Sequence, residues 1–335
     1  MAFIVQKFGG TSVADAAARE RMLRKVEAAH SGGDRVVVVV SAMGRKGAPY
    51  ATDTLLGLLD EAGGKVAGQA KGGLISDLLA SCGETISACL VAQLLTVRGT
   101  KAVPLTAYSA GIRASGPYGD AEISDVDASR IMAVVDSGSV PVVAGFQAVA
   151  PNGGIVTIGR GGSDTSAVAI GAWAKADFVD IYTDVPGVAM ADPRVVPEAP
   201  FLARLDYRSM YRLATSGARV LHDRSALLGE RFGVRIRVRS TFDDGDGTLI
   251  SPELLPAGSP AVLGIASDKT ADGALVTVVC SVGAAASIAG IAVKAAAVAG
   301  GIPAPNDDRD AISFSCTASG SPALVTALFK ALGRA

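Results

Sequence analysis

Residues Val36 to Val40 are an unbroken run of valine. A strand that is apolar at every position must be covered on both faces, because neither face suits water. Similar short apolar runs recur along the chain, separated by longer segments with helical spacing. Strands are expected over 3–7, 35–41, 101–105, 140–145, 154–158, 178–184, 234–239 and 247–250. Helices are expected over 14–30, 54–62, 73–98, 126–137, 206–215 and 217–230, with another from about Ser163 to Ala176. Alternation of this kind predicts an α/β fold, with an open, mostly parallel sheet in an α/β/α sandwich. Ligands in such sheets bind beyond the carboxyl ends of the strands. Lys7, Ser41, Gly145 and Thr183 all fall at expected strand ends, on one rim.

The chain has 335 residues, more than one hydrophobic core usually serves, so two domains are expected. A Pro/Gly-rich stretch over 252–260 reads as a linker between domains at 1–251 and 261–335. The second part carries strands at 261–265, 274–280, 302–304 and 311–317 and helices at 284–299 and 321–332. The charge run Asn306 to Asp310 reads as a solvated hairpin rather than a metal site.

Composition excludes several classes. A net charge of −1 gives no electrostatic reason to bind nucleic acid or an anionic membrane. The N-terminus enters a strand at Phe3 without a signal-peptide pattern. Ala284 to Gly300 is the most membrane-like run, but it is mostly Ala and Gly, carries Lys294, and reads as a packed helix. Four cysteines show no metal-ligand clustering, and Cys82 and Cys89 read as core residues on one helical face. Two histidines leave little material for a zinc site or a Ser-His-Asp triad, so no protein-held metal centre is expected. The reading is a reduced, cytoplasmic enzyme.

Two glycine turns carry the chemistry. In Thr157 to Ala167, an apolar strand runs into Gly159-Arg160-Gly161-Gly162, and Ser163-Asp164 open an alanine-rich helix. The glycines allow close backbone approach to a ligand. The helix N-terminus favours an anion, and Arg160 offers a planar fork of donors for carboxylate or phosphate. In the second turn, Phe3 to Gln6 leads into Lys7-Phe8-Gly9-Gly10-Thr11-Ser12, where Lys7 could reach nucleotide phosphates as a point charge. Neither the G-x-x-x-x-G-K-[ST] loop nor the dinucleotide G-x-G-x-x-G is present, so phosphate binding must be assembled from several strand ends.

Together these turns resemble the amino acid kinase family, and within it the aspartokinases. The resemblance rests on Lys7–Val13, Val40–Gly44, Gly83-Glu84, Val143–Gln147, Gly159–Asp164, Tyr182–Val185, Ala191–Arg194 and Val238–Phe242, in matching order over roughly residues 3–251. The segment Met43 to Asp53 is most similar to monofunctional members of the diaminopimelate–lysine branch. The resemblance implies ATP-dependent phosphorylation of the L-aspartate side chain, with ATP and Mg²⁺ as cofactors. Two alternatives stay open: another carboxylate substrate in specialised metabolism, or a ligand-sensing paralogue with weak catalysis.

The resemblance also implies roles. Lys7 would stabilise the transferred phosphoryl group, and Asp164 would hold Lys7 or Mg²⁺. Arg160 would clamp the amino acid's carboxylate, beside Gly161 and Ser163. Glu84 would face the substrate ammonium, its bland reading being a surface residue in a first helical turn. Thr52 and Phe146 resemble further substrate contacts. Gly9, Gly10 and Ser41 would line the phosphates, and Thr183 and Asp184 the nucleotide. Arg194 would pair either with phosphate or with Asp184 or Asp192. Residues 261–335 resemble a single ACT-like module, through which a homodimer is expected.

Some segments depart from the family pattern. Where a lysine is usual in G-A-K-V, this chain has Gly217-Ala218-Arg219-Val220, so Arg219 would stand at the ATP phosphates. Arg212-Leu213-Ala214 replaces an acidic E-L-A, His222-Asp223-Arg224 lacks the usual proline, and Gly111 to Ser115 lacks the usual T-[DN].

Overall fold

The computed structural model describes residues 1–63, 73–253 and 260–333. In chain order the elements begin β1 (Phe3–Phe8), α1 (Ala16–Ser31), β2 (Arg35–Val40), α2 (Thr52–Glu61), α3 (Leu74–Val97) and β3 (Ala102–Leu105). They continue β4 (Ile112–Ser115), β5 (Glu122–Val126), α4 (Ser129–Asp136), β6 (Val140–Ala144), β7 (Gln147–Val149), β8 (Ile155–Thr157), α5 (Gly162–Ala174) and β9 (Phe178–Thr183). Then come β10 (Arg204–Leu205), α6 (Tyr207–Thr215), α7 (Asp223–Phe232), β11 (Ile236–Ser240) and β12 (Thr248–Ile250). The last are β13 (Val262–Thr270), β14 (Gly273–Cys280), α8 (Ala285–Val298), β15 (Ile302–Ala304), β16 (Ala311–Cys316) and α9 (Ser321–Leu332).

The chain forms two compact units, Met1–Pro186 with Arg231–Asp246, and Gly187–Glu230 with Gly247–Ala335. The first holds the parallel strands in the order β11-β9-β1-β2-β6-β3. The valine run behaves as its composition demands. Val36, Val38 and Val40 join the core beneath α1 and α3, while Val37 and Val39 on the opposite face are fully buried too. There α4 and α5 pack on the sheet. The result is the expected sandwich.

A second sheet, in the order β5-β4-β7-β8, was not legible in the sequence. Its strands are short and half-polar, so period-two alternation gives little signal. It lies alongside α3 and α5. Among the described residues the one helix long and apolar enough to cross a membrane is α3, rather than the run at Ala284. Half of its apolar window is buried, and it packs on β3, β6 and β8.

Cys82 and Cys89 are a correction: both are exposed. The buried face of α3 is instead Asp77, Ala80, Ser81, Glu84, Ser87, Ala88 and Val91. The two cysteines do share a face, but it is the outer one.

The second unit does not begin where composition changes. Residues 187–230 belong to it, joined to the C-terminal module by a bridge from Ala191 to Ile265 and a shared core containing Val196, Ala199, Val276 and Phe314. The linker expected at 252–260 lies mostly outside the described residues. The module runs ββαββα, with a four-stranded antiparallel sheet in the order β13-β14-β16-β15. The helix expected over 217–230 starts only at Asp223. Gly217 has φ +108, and a Cβ there would stand 2.2 Å from the Ser267 carbonyl oxygen, so the chain turns against β13 before the helix begins.

The charge run does lie in the β15–β16 hairpin, with Asn306, Asp307 and Arg309 exposed, but its last residue departs from the expectation. Asp310 is buried, and Arg212 bonds it at 3.0 Å and Asp308 at 2.5 Å. The arginine in place of the family's acidic residue thus has its counter-charges in the module, 96 and 98 positions later. No group of three or more potential metal ligands occurs among the described residues.

Candidate active site

Register builds the rim. Phe8 is level with Val40 and Tyr182, and Val40 with Ala144, so β1, β2, β6 and β9 end side by side. The residues that follow are stitched by backbone bonds: Gly9 N–H to Tyr182 C=O at 3.3 Å, Ser41 to Phe8 at 3.1 Å, and Gly145 to Val40 at 3.0 Å. The chain winds from β1 to β2 and later returns to β9 on β1's other side. That reversal is where a parallel sheet opens a crevice.

Lys7 points away from the Phe8 side of β1 and toward the start of α5. Its Nζ lies 2.6 Å from Asp164 Oδ1, with both side chains largely buried. The contact is an ion pair without an aligned hydrogen bond, so Oδ1 keeps unused acceptor capacity. Gly9 leaves the ammonium uncovered, since a Cβ there would stand 3.4 Å from Nζ. Gly10 is required by close packing: a Cβ would meet the carbonyl oxygens of Gly44 and Ala42 at 2.7 and 2.8 Å. Gly44 N–H in turn donates to Gly10 C=O, fixing the two loops together.

Glu84 lies well inside α3, ten residues from its start, rather than in a first turn. It is 3% exposed. Oε1 accepts the Ala42 N–H at 3.0 Å, while Oε2 is buried with no hydrogen-bond partner among the described residues. Burial pushes the carboxyl up to about 8, against the Ala42 N–H and the positive charge of Lys7, which pull it down. Gly83 brings α3 this close: a Cβ would stand 2.7 Å from Ala42 Cβ and 2.8 Å from the Tyr50 carbonyl oxygen.

The Gly159 turn bends back on left-handed glycines at 159 and 161, φ +78 and +71. Between them Arg160 is exposed and makes no ion pair among the described residues. Gly161 caps α5, and Ser163 and Asp164 are buried in its first turn. Ser163 also packs on Gly145, where a Cβ would stand 2.8 Å from Ser163 Cβ. Phe146 follows β6 with φ +67, a strained value for a bulky residue. Its N–H bonds Ser166 Oγ and its C=O accepts from Ile158. Thr52 is half-buried as the first residue of α2, and Ser41 is half-buried after β2.

Thr183 bonds Asp184 at 3.1 Å, and exposed Asp184 pairs with Arg45 at 2.7 Å. Arg194 and Arg219 belong to the other compact unit. Arg194 forks onto Asp192, Nη2 to Oδ2 being 2.7 Å. Arg219 reaches Asp268 at 3.3 Å. Sequence reading overlooked one residue beside the site, Asp77, whose buried carboxylate holds two backbone segments. The signal was its position seven residues before Glu84, on the same helical face.

The first unit thus brings together a buried cation on a strand end, a buried carboxylate with a bare oxygen, a free guanidinium and a glycine-lined rim. That set suits two anions and an ammonium held together.

The amino acid kinase family model matches residues 2–240. Aspartokinase 1 of Bacillus subtilis strain 168 is 46% identical over 251 residues, covering 75% of this chain and 61% of that protein. An aspartokinase of Thermus thermophilus is 40% identical over 268 residues, covering 80% of this chain and 64% of the relative. The chain therefore spans less than two thirds of either relative's length. The fold matches a crystal structure of E. coli aspartokinase III in complex with aspartate and ADP, with a TM-score of 0.82. That match covers 99% of this chain and 100% of the other, at 21% identity.

Proposed function

This chain belongs to the amino acid kinase family, and we propose that it transfers the γ-phosphoryl group of ATP to the side-chain carboxylate of L-aspartate. The products would be ADP and 4-phospho-L-aspartate. The observation that carries the reading is Glu84, whose buried Oε2 has no hydrogen-bond partner among the described residues and whose carboxyl feels the charge of Lys7. A buried unpaired carboxylate oxygen is costly unless a ligand completes it, and an α-ammonium does so. The relatives' names and the aspartate and ADP bound to the E. coli protein support the choice of substrates.

The chemistry asks little of acid–base groups. An aspartate side chain, with a reference pKa of about 3.9, is already ionised at neutral pH. One of its oxygens forms the new bond to the γ-phosphorus. The bond from that phosphorus to the β–γ bridging oxygen breaks, and ADP leaves with the electron pair. The obstacle is repulsion between anions, so positioning and charge do the catalysis. Lys7 supplies the charge, and Asp164 holds it at the strand end. Arg160 clamps the α-carboxylate, with Gly161, Ser163, Phe146 and Thr52 around it.

Gly9, Gly10 and Ser41 line the phosphates, and Thr183 and Asp184 serve the nucleotide side; for Arg194 and Arg219, which belong to the other unit, a nucleotide role rests on the family resemblance alone. Mg²⁺, when bound, supplies charge neutralisation across the phosphates. The unused acceptor capacity of Asp164 Oδ1 fits it.

The C-terminal module fits an ACT-like role in a homodimer, in the cytoplasm. Outer strand β15 has β16 on one side and no strand on the other among the described residues, and Ile302 within it and Val298 at the end of α8 are exposed. A second copy would cover them. Light scattering at micromolar concentration should give a dimer, and a monomer would remove this assignment.

A coupled ADP-release assay across aspartate, glutamate and N-acetylglutamate tests the substrate. Turnover with aspartate alone is expected. Turnover with another acid moves the substrate, and no turnover with any acid sinks the reading.

A further inference from the structure

Asp77 touches none of the groups assigned above, yet it is one of the most buried charged residues in the chain, at 2% exposure. It lies in the first turn of α3. One carboxylate oxygen, Oδ2, accepts two backbone N–H groups: Thr157 at 2.7 Å and Gly119 at 2.8 Å. Thr157 is the last residue of β8, three before Arg160. Gly119 belongs to the turn before β5. That turn is itself tied to the same strand end, because Ala121 N–H donates to the Thr157 carbonyl at 3.0 Å. The turn also presses on the arginine's hinge, since a Cβ on Gly159 would stand 2.6 Å from Asp120 Oδ1.

β8 is only three residues long and has β7 on one side. On its other side its last N–H meets no strand among the described residues and is held by Asp77. Charge-assisted bonds from a buried carboxylate are shorter and stronger than neutral ones. Arg160 has no side-chain partner of its own among the described residues, so its reach is set by the backbone that delivers it. Asp77 and Glu84 are seven residues apart on the buried face of one helix, about 10 Å along its axis. A single rigid element therefore fixes both groups that hold the substituents of the ligand's α-carbon: Glu84 directly, and Arg160 through Asp77 and Thr157.

We infer that Asp77 is a positioning residue that holds the Arg160 guanidinium in register with the Glu84 carboxylate, so that the two grip the substituents of the α-carbon in one place and only a side-chain carboxylate of the right reach meets the phosphoryl end of the site at Lys7. This rests on the reading of Arg160 and Glu84 as the substrate's clamps. Loosening the anchor changes binding of the amino acid, and its selectivity, rather than the phosphoryl step.

The test is steady-state kinetics of Asp77→Asn, Asp77→Ala and Arg160→Lys, each with aspartate and with glutamate. Asp77→Ala should raise the KM for aspartate about tenfold, as misplacement of a binding group does. Asp77→Asn should fall between wild type and Asp77→Ala. The KM for ATP and kcat should stay within about twofold, because Lys7 is held from another strand. The preference for aspartate over glutamate in kcat/KM should shrink in both variants. A fall in kcat with unchanged KM and unchanged preference would overturn the inference, as would failure of the mild Asp77→Asn variant to fold. Arg160→Lys separates this from the reading beneath it. If Arg160→Lys leaves the aspartate KM unchanged, the clamp itself is wrong. If it raises that KM while the Asp77 variants do not, only the role of Asp77 falls.

Discussion

Lys7 Nζ stands 2.6 Å from Asp164 Oδ1 across the junction of a strand end and a helix start. The pair is nearly buried, and it draws on β1 and α5, elements fixed by the parallel core. An ammonium so placed changes position little when charge develops beside it, which is what electrostatic catalysis requires.

Removing that ammonium should act on the transition state. Lys7→Ala is expected to lower kcat by about 100-fold or more with a smaller change in either KM. Initial-rate kinetics checks this. Near-normal turnover would take Lys7 out of its role.

Arg160 should act on binding. A guanidinium grips a carboxylate with two parallel bonds, which a lysine cannot reproduce. Arg160→Lys should raise the KM for the amino acid about tenfold and leave that for ATP little changed. Equal rises for both substrates would assign Arg160 to the nucleotide or to the turn.

Glu84 should make binding depend on pH. Its carboxyl is raised from the ordinary 4.5 to about 8, burial being the main cause. The folded protein therefore holds this proton more tightly than the unfolded chain. Stability from this group is greatest at low pH and is lost as pH rises through about 8. An arriving ammonium favours the ionised form, so binding releases the proton. The KM for the amino acid should fall as pH rises toward that value, and Glu84→Gln should flatten the dependence. A KM independent of pH in the native protein would contradict the assignment.

Arg219 is mostly exposed and reaches Asp268 at 3.3 Å. Exposed pairs of this kind contribute little to stability, which leaves the guanidinium available to a phosphate. Arg219→Ala should raise the KM for ATP, and Arg219→Lys should largely preserve it. An unchanged KM in Arg219→Ala would leave only the contact with Asp268.

Much of this was legible in the sequence, for physical reasons. Val36 to Val40 demands cover on both faces, and glycines at strand ends announce close approach, so the sheet and its rim follow. What stayed hidden depends on distant partners. Arg212 and Asp310 find each other across 98 positions, and nothing local marks Asp310 as buried. Glu84 looks like any helical glutamate until Gly83 lets the Ala42 loop settle on it. The strands β4, β5 and β7 take their shape from their neighbours rather than from their own alternation. The late start of α7 is set by Gly217 against Ser267, a contact between segments 50 residues apart in number.

Transfer to a carboxylate leaves an acyl phosphate, and that product can be trapped. An acyl phosphate reacts with hydroxylamine to give a hydroxamate, whereas simple ATP hydrolysis gives none. With ATP, Mg²⁺, L-aspartate and hydroxylamine, aspartyl hydroxamate should form in step with ADP and be lost in Lys7→Ala. ADP release without hydroxamate, or hydroxamate formation undiminished in Lys7→Ala, would contradict the proposed transfer.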